Sequence, residues 1–231
     1  MKRAFYAAWP CHRPPPALLY SARSNLASPF PLNFLAHLYL AEPTPLGLLG
    51  GLMGDFVKGP LDGRYPPMLM RALIHHRRID TFTDAHPVVR ASRNRVAPAH
   101  RRFAGVLTDM FFDHFLARHW ADYADEPMPA FTRRVYDLLE AHHAMLPDRL
   151  QRIAPHMRRG DWLGSYAQLA SIEAAIDRMG TRLKRGNLLL GAGAELRLQY
   201  GAFEADFRAF FPELTAFARS LHPPATFGTP A

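Results

Sequence analysis

Apolar residues recur at intervals of three and four along most of the chain, and strand-like alternation closed by Asn-Gly or Asp-Gly turns is missing. The pattern predicts an all-α protein. Pro66 and Pro67 suit the first turn of a helix that meets no breaker until Pro87, so one long helix is expected from 68 to about 83. A second should start near Pro98 and run through Trp120. Further helices are expected over 33–41, 45–58, 128–145, 149–157 and 166–183. A last one should span 188–221 with a break at Pro212, whose ring removes a backbone donor.

The two ends read differently. Residues 1–31 carry a proline triplet, Pro14 to Pro16, and little helical periodicity, which predicts a disordered extension. A secretory leader fits poorly, because Pro10, His12, Arg13 and the triplet interrupt any apolar stretch. The expected organisation is therefore a single helical domain over 32–222, with a flexible tail over 223–231 rich in Pro, Gly and Thr. A length of 231 residues, 48% of them hydrophobic, suffices for one substantial core. The longest apolar runs, such as Leu46 to Met53, are broken by glycine and fall far short of a membrane span. Four of the 28 basic residues and none of the 20 acidic ones lie in 1–31, so half of the net charge of +8 belongs to the extension. Overall basicity is thus a weak argument for nucleic acid, and no specific nucleic acid is expected. The one cysteine, Cys11, lies in the extension and cannot form an internal bridge, which fits a reducing, cytoplasmic compartment.

Candidate chemistry lies on the two long helices. His76, Asp80 and Asp84 are each four apart, which puts an imidazole and two carboxylates on one helix face. Asp109 and Asp113 repeat the spacing among Met110, Phe111, Phe112 and Phe115, with His114 following at once. Carboxylates near a core cost too much unless paired or bound to a cation, and one shared ion would serve them all. The competing reading is a set of local ion pairs, since Arg77 and Arg78 lie alongside. Gly50, Gly51 and Gly54 allow close backbone approach just before Asp55, which can bring a third element to the cluster or merely pair with Lys58. His37, in Phe34-Leu35-Ala36-His37-Leu38-Tyr39-Leu40, reads by itself as a hydrogen-bonded core histidine. Mixed His and Asp ligands favour Mn²⁺, with Fe²⁺, Zn²⁺ and Mg²⁺ as the other candidates. Cysteine nucleophiles, Gly-x-Ser-x-Gly elbows and phosphate loops are missing.

Four blocks in order, Asn33-Phe34-Leu35-Ala36-His37-Leu38, Gly54-Asp55-Phe56-Val57-Lys58-Gly59, the stretch from His76 to Asp84, and Asp109-Met110-Phe111-Phe112-Asp113-His114-Phe115-Leu116, resemble the bacterial acyl carrier protein phosphodiesterases. The likeness covers about residues 32–220 and is strongest in the first half. It implies a divergent branch of the HD phosphohydrolases, a single HD-like multi-helix domain, although the chain has no His-Asp dipeptide and only the reversed Asp113-His114. It also implies hydrolysis of the phosphodiester between 4'-phosphopantetheine and a carrier-protein serine. On that reading Asp55, His76, Asp80 and one or both of Asp109 and Asp113 form the metal-ligand set. His37 and His114 are candidates to protonate the leaving serine, and Asp84 to orient a ligand histidine. Arg77 and Arg78 are candidates to bind a phosphoryl oxygen. Arg90, Arg93, Arg95, Arg101 and Arg102 would offer an acidic carrier protein a docking surface. An HD-type hydrolase of a nucleotide or other small phosphodiester would use the same cluster without that surface, whereas a non-enzymatic basic helical binding protein would need neither.

Family members usually begin Met-Asn-Phe-Leu-Ala-His, and here Leu32 stands where that methionine is expected. Residues 1–31 are therefore expected to come from an overextended reading frame. The natively expressed protein should have an intact mass lacking them; a mass that retains the full extension would reject this start.

Overall fold

The computed structural model describes residues 34–61, 63–181 and 189–222. Among them there are twelve α-helices, two short 3₁₀ turns and no strand. The helices are α1 (Phe34–Leu40), α2 (Pro45–Met53), α3 (Pro67–Ala85), α4 (Pro87–Arg95), α5 (Ala104–Arg118), α6 (Trp120–Tyr123), α7 (Met128–Ala141), α8 (Asp148–Arg159), α9 (Trp162–Ser165), α10 (Leu169–Gly180), α11 (Ala194–Leu198) and α12 (Tyr200–Ser220). The all-α class is as expected. The expected extension, residues 1–31, and the tail, 223–231, lie outside the described residues.

Several boundaries differ from the sequence pattern, each for a local reason. The helix expected over 98–120 is a 3₁₀ turn, Pro98–Phe103, followed by α5 and then α6. The 45–58 segment stops at Met53, which leaves Asp55 in a turn closed by the Phe56 and Val57 amides on the Met53 carbonyl. The long helix ends before Pro87 as expected, α3 stopping at Ala85, but Pro87 also opens α4 in the first-turn position that a residue without an N–H tolerates. Likewise the helix expected over 166–183 is the shorter α10, preceded by the separate α9, and α11 is separate from α12. Pro212 lies inside α12 without breaking it. Phe210, Phe211 and Leu214 around it are all buried, and their packing outweighs one lost backbone bond.

α5 is the central element. It packs against α1, α4, α10 and α12. Leu107, Met110, Phe111, Phe115 and Leu116 are buried, so this helix is apolar nearly all round, as an interior helix must be. From α12, Phe203, Phe207, Phe210 and Phe211 are at most 1% exposed, and the first three interlock with Phe111, Phe112 and Phe115 at ring distances of 5.0–5.8 Å. Burial of each such ring is worth roughly 1.5–3 kcal/mol.

The start of α1 is capped from a distance. Asp113, 0% exposed on α5, accepts the Leu35 amide at 2.9 Å and the Ala36 amide at 2.8 Å. Both are orphan donors of a first helical turn, and a carboxylate at that end also suits the helix dipole. Burial pushes the Asp113 carboxyl pKa upward, and the two amide donors oppose but do not cancel this. Asp113 thus fixes where α1 begins, and with it the height at which His37 enters the interior.

Asp113→Ala leaves two buried N–H groups without acceptors and should cost about 2–4 kcal/mol, measured by urea unfolding. Asp113→Asn keeps one acceptor and should cost roughly half as much. Equal stability of Asp113→Ala and wild type would show that α1 needs no cap.

Candidate metal centre

Three short stretches of chain meet beside the α2–α3 packing. α2 lies along α3, and α1 crosses both α2 and α5. On α3 the buried stripe is Leu69, Leu73, His76 and Ile79, so His76 occupies a core position of that helix. Its ring stacks on that of His37 from α1, with centroids 3.7 Å apart and planes 23° apart. His37 Nε2 lies 3.1 Å from Asp80 Oδ1, His76 Nε2 lies 3.3 Å from Asp80 Oδ2, and Asp55 Oδ1 lies 3.9 Å from His76 Nε2. The ligand atoms of His37, His76 and Asp80 all fall within 4.8 Å of one another.

Small residues make this approach feasible. A Cβ on Gly54 would run into the His76 ring, and one on Gly51 would stand 2.9 Å from the His37 carbonyl oxygen. The Gly51 carbonyl accepts from His76 Nδ1 at 2.8 Å. A carbonyl can only accept, so Nδ1 carries the proton and the Nε2 lone pair of neutral His76 points at Asp80 and Asp55. Arg77 secures the turn that bears Asp55, donating from Nη2 to the Val57 and Gly59 carbonyls at 3.2 and 2.7 Å.

The electrostatics call for positive charge between these groups. Burial pulls the His76 pKa down, yet the hydrogen bond and charge of Asp80 and the charge of Asp55 outweigh it, and the net direction is up. Burial likewise opposes the Asp80 carboxylate, but His37 and His76 hold it well below the usual range. The Asp80 side chain is 47% exposed, so solvent screens part of this effect. Asp55 shifts upward, driven mainly by burial against the pull of His76 and His37. Both His37 ring nitrogens and Asp55 Oδ2 are buried without a hydrogen-bond partner. Orphaned imidazole and carboxylate atoms around a partly open carboxylate are what a divalent cation would satisfy, and His76 has the backbone-fixed tautomer of a ligand. The residues present fit such an ion.

Other candidates have different places. Asp109 and His37 line one cavity together with Ala36, Ile79, Thr83 and Phe112. Burial, with like charge from Asp80, Asp84 and Asp55, pushes the Asp109 carboxyl up to about 7 against the pull of Arg93. The structure does not bring Asp113 into the cluster, since both its oxygens are taken by the α1 amides. Nor does it bring His114: Nδ1 donates to the Tyr166 carbonyl at 2.8 Å and Nε2 accepts from the Tyr200 hydroxyl at 2.9 Å. Both nitrogens are satisfied in the core, and burial pulls this imidazole's pKa down. Asp84 meets no histidine; its Oδ1 accepts from Arg93 Nη2 at 2.7 Å. Arg77 is the strut just described, and Arg78 is exposed on the outer face of α3. The arginine that turns inward is Arg93 of α4, a helix whose only sequence signal was Pro87 read as a start rather than a stop.

Gly54→Ala should displace the His76 ring, lower stability by about 1–3 kcal/mol and cut Mn²⁺ uptake at least about tenfold. Calorimetry and elemental analysis check the two effects. Wild-type uptake in a stable Gly54→Ala protein would show that the close approach does not set the ring.

A family model described as acyl carrier protein phosphodiesterase matches residues 32–214. Proteins named acyl carrier protein phosphodiesterase from Serratia proteamaculans and Photorhabdus laumondii are 36% and 35% identical to the chain. These matches cover 81% and 78% of this chain and 98% and 92% of the relatives. One from Yersinia pestis is 33% identical over 79% of this chain and 95% of its own length. No solved structure matches the chain. With a model spanning most of its length and relatives above 30% identity aligned nearly end to end, the chain belongs to the acyl carrier protein phosphodiesterase family.

Proposed function

We propose that this chain hydrolyses the phosphodiester joining 4'-phosphopantetheine to a serine of acyl carrier protein, giving the apo-carrier and 4'-phosphopantetheine. The observation that carries the reading is the meeting of His37, His76 and Asp80 on one point, with imidazole nitrogens left unsatisfied, in a chain of this family. His37, His76 and Asp80 would hold a divalent cation, with Asp55 at its edge. When bound, it supplies an acidified water and offsets charge on a phosphoryl oxygen. Two imidazoles with carboxylates favour Mn²⁺ or a neighbouring transition ion over Mg²⁺.

The chain's own groups account for the rest of the chemistry. The Gly51 carbonyl holds the His76 tautomer that presents Nε2 to the site. Asp55 Oδ2, buried and unpartnered, is available to accept a proton from the attacking water. Asp109, with its pKa near neutrality, can carry the proton that the departing serine oxygen needs, a role His114 cannot reach. Phe112 and the α12 rings Phe207, Phe210 and Phe211 wall the cavity beside Asp109 and keep water from its inner side.

Charge outside the site supports an acidic macromolecular substrate. Arg90, Arg101 and Arg102 are exposed, and their described contacts are with uncharged groups: the Asp84 carbonyl, the Asn94 side chain and the Phe103 ring. Arg95 is neutralised by Asp206 at 2.8 Å, and Arg93 is turned inward. The docking surface thus narrows to Arg90, Arg101 and Arg102. Among the described residues no helix is long and apolar enough to cross a membrane, and a cytoplasmic location suits both the lone cysteine and this substrate.

Incubation with holo-acyl carrier protein and Mn²⁺ should lower the carrier's mass by one phosphopantetheine, and excess chelator should abolish the shift. Asp80→Ala should reduce kcat/KM at least about 100-fold, because a metal ion contributes several kcal/mol of charge stabilisation. An unchanged carrier mass beside turnover of small phosphodiesters would instead favour a nucleotide-type substrate.

A further inference from the structure

We infer that Arg93 is the residue that binds a non-bridging phosphoryl oxygen of the substrate, held ready by Asp84 and laid flat across the start of α5. This assignment rests on the phosphodiesterase reading and names another residue for the role expected of Arg77 and Arg78. Placement comes from α4 itself. Val89, one turn before Arg93, is fully buried, and α4 is pinned to α12 because the Ser92 hydroxyl donates to Asp206 at 2.6 Å and Arg95 pairs with the same carboxylate. Arg93 therefore continues the inward face of α4. Its guanidinium lies 3.7–3.8 Å from where a Cβ on Gly105 would be, so the missing side chain leaves room for a planar group against α5. From there Nη2 reaches Asp84 at 2.7 Å and stands 3.9 Å from Asp109 Oδ1, while Nε is buried without a hydrogen-bond partner.

Charge balance argues for the same role. Asp55, Asp80 and Asp84 place three carboxylates around the site, while Asp109 with its pKa raised to about 7 carries the proton for the leaving group, and a divalent ion offsets only two of those three charges. A phosphodiester brings one further negative charge. Without Arg93 an anionic substrate would meet surplus like charge; with it, a fork of N–H donors faces the cavity wall that carries Asp109. Lys or Arg on the outer helix faces cannot supply this, because solvent screens them. Asp84 acts through Arg93, fixing the guanidinium, and is a positioning residue.

Inorganic phosphate, titrated calorimetrically into the protein supplied with Mn²⁺, is the probe. Arg93→Gln should weaken phosphate binding about 10- to 100-fold with metal content unchanged, and Arg93→Lys should recover part of the loss by restoring charge without the fork. Asp84→Asn breaks the same ion pair but keeps the guanidinium, so it should lower the melting temperature as much as Arg93→Gln while losing far less phosphate affinity. Equal affinity for wild type and Arg93→Gln, or equal losses in Arg93→Gln and Asp84→Asn, would reduce Arg93 to a structural tie and overturn the assignment. A wild type that leaves holo-carrier protein intact yet binds phosphate through Arg93 would overturn the substrate reading and support the anion site.

Discussion

Two imidazoles stacked 3.7 Å apart beneath a shared carboxylate form the constraint around which the first half of the fold is arranged. Neutral His76 turns a lone pair toward two carboxylates, which is repulsive unless positive charge lies between them. The Gly51 carbonyl rules out the other tautomer. Relaxing the contact would require α3 to move away from α2, which the packing of Leu69, Leu73 and Ile79 opposes. Without an ion a proton on His76 supplies that charge, the direction in which Asp80 and Asp55 push its pKa, and a bound cation would take the proton's place.

α5 connects that site to the core. Its two carboxylates, four residues apart, have opposite fates. Asp113 is consumed by the α1 amides, which sets the level of His37, whereas Asp109 stays near the cavity with a pKa lifted to about 7. One helix thus places His37 on its neighbour through a backbone cap and offers a titratable group of its own. A substitution at Asp113 would reach the site through the register of α1 without touching the site itself.

The all-α class, the 67–85 helix and the His76–Asp80 pair were legible because helical period and four-residue spacing are local properties of the chain. His37 was not legible from its surroundings: a histidine in an apolar stretch reads as core, and only the resemblance to a family raised it further. Asp113 was misread for a definable reason. A buried carboxylate needs donors or a cation, and sequence cannot distinguish a cation from the unsatisfied amides of a helix start 77 and 78 residues away. Pro87 and Pro212 show the same ambiguity, since proline breaks, starts or survives within a helix according to packing that only the tertiary structure supplies.

The arginines show most plainly how position decides chemistry. Arg77 and Arg78 stand next to His76 and Asp80 in sequence, yet one props up the Asp55 turn through two carbonyls and the other faces solvent. Arg93 is thirteen residues beyond Asp80 and reaches the site because α4 folds back along α3 and α5. A helix of nine residues opened by a proline converts a remote arginine into a neighbour of Asp84 and Asp109. The second carboxylate of the α3 spacing, Asp84, then has a function that a metal-ligand reading does not give it. It holds a cation contributed by the protein one helical turn from the place where Asp80 would hold one contributed by solvent.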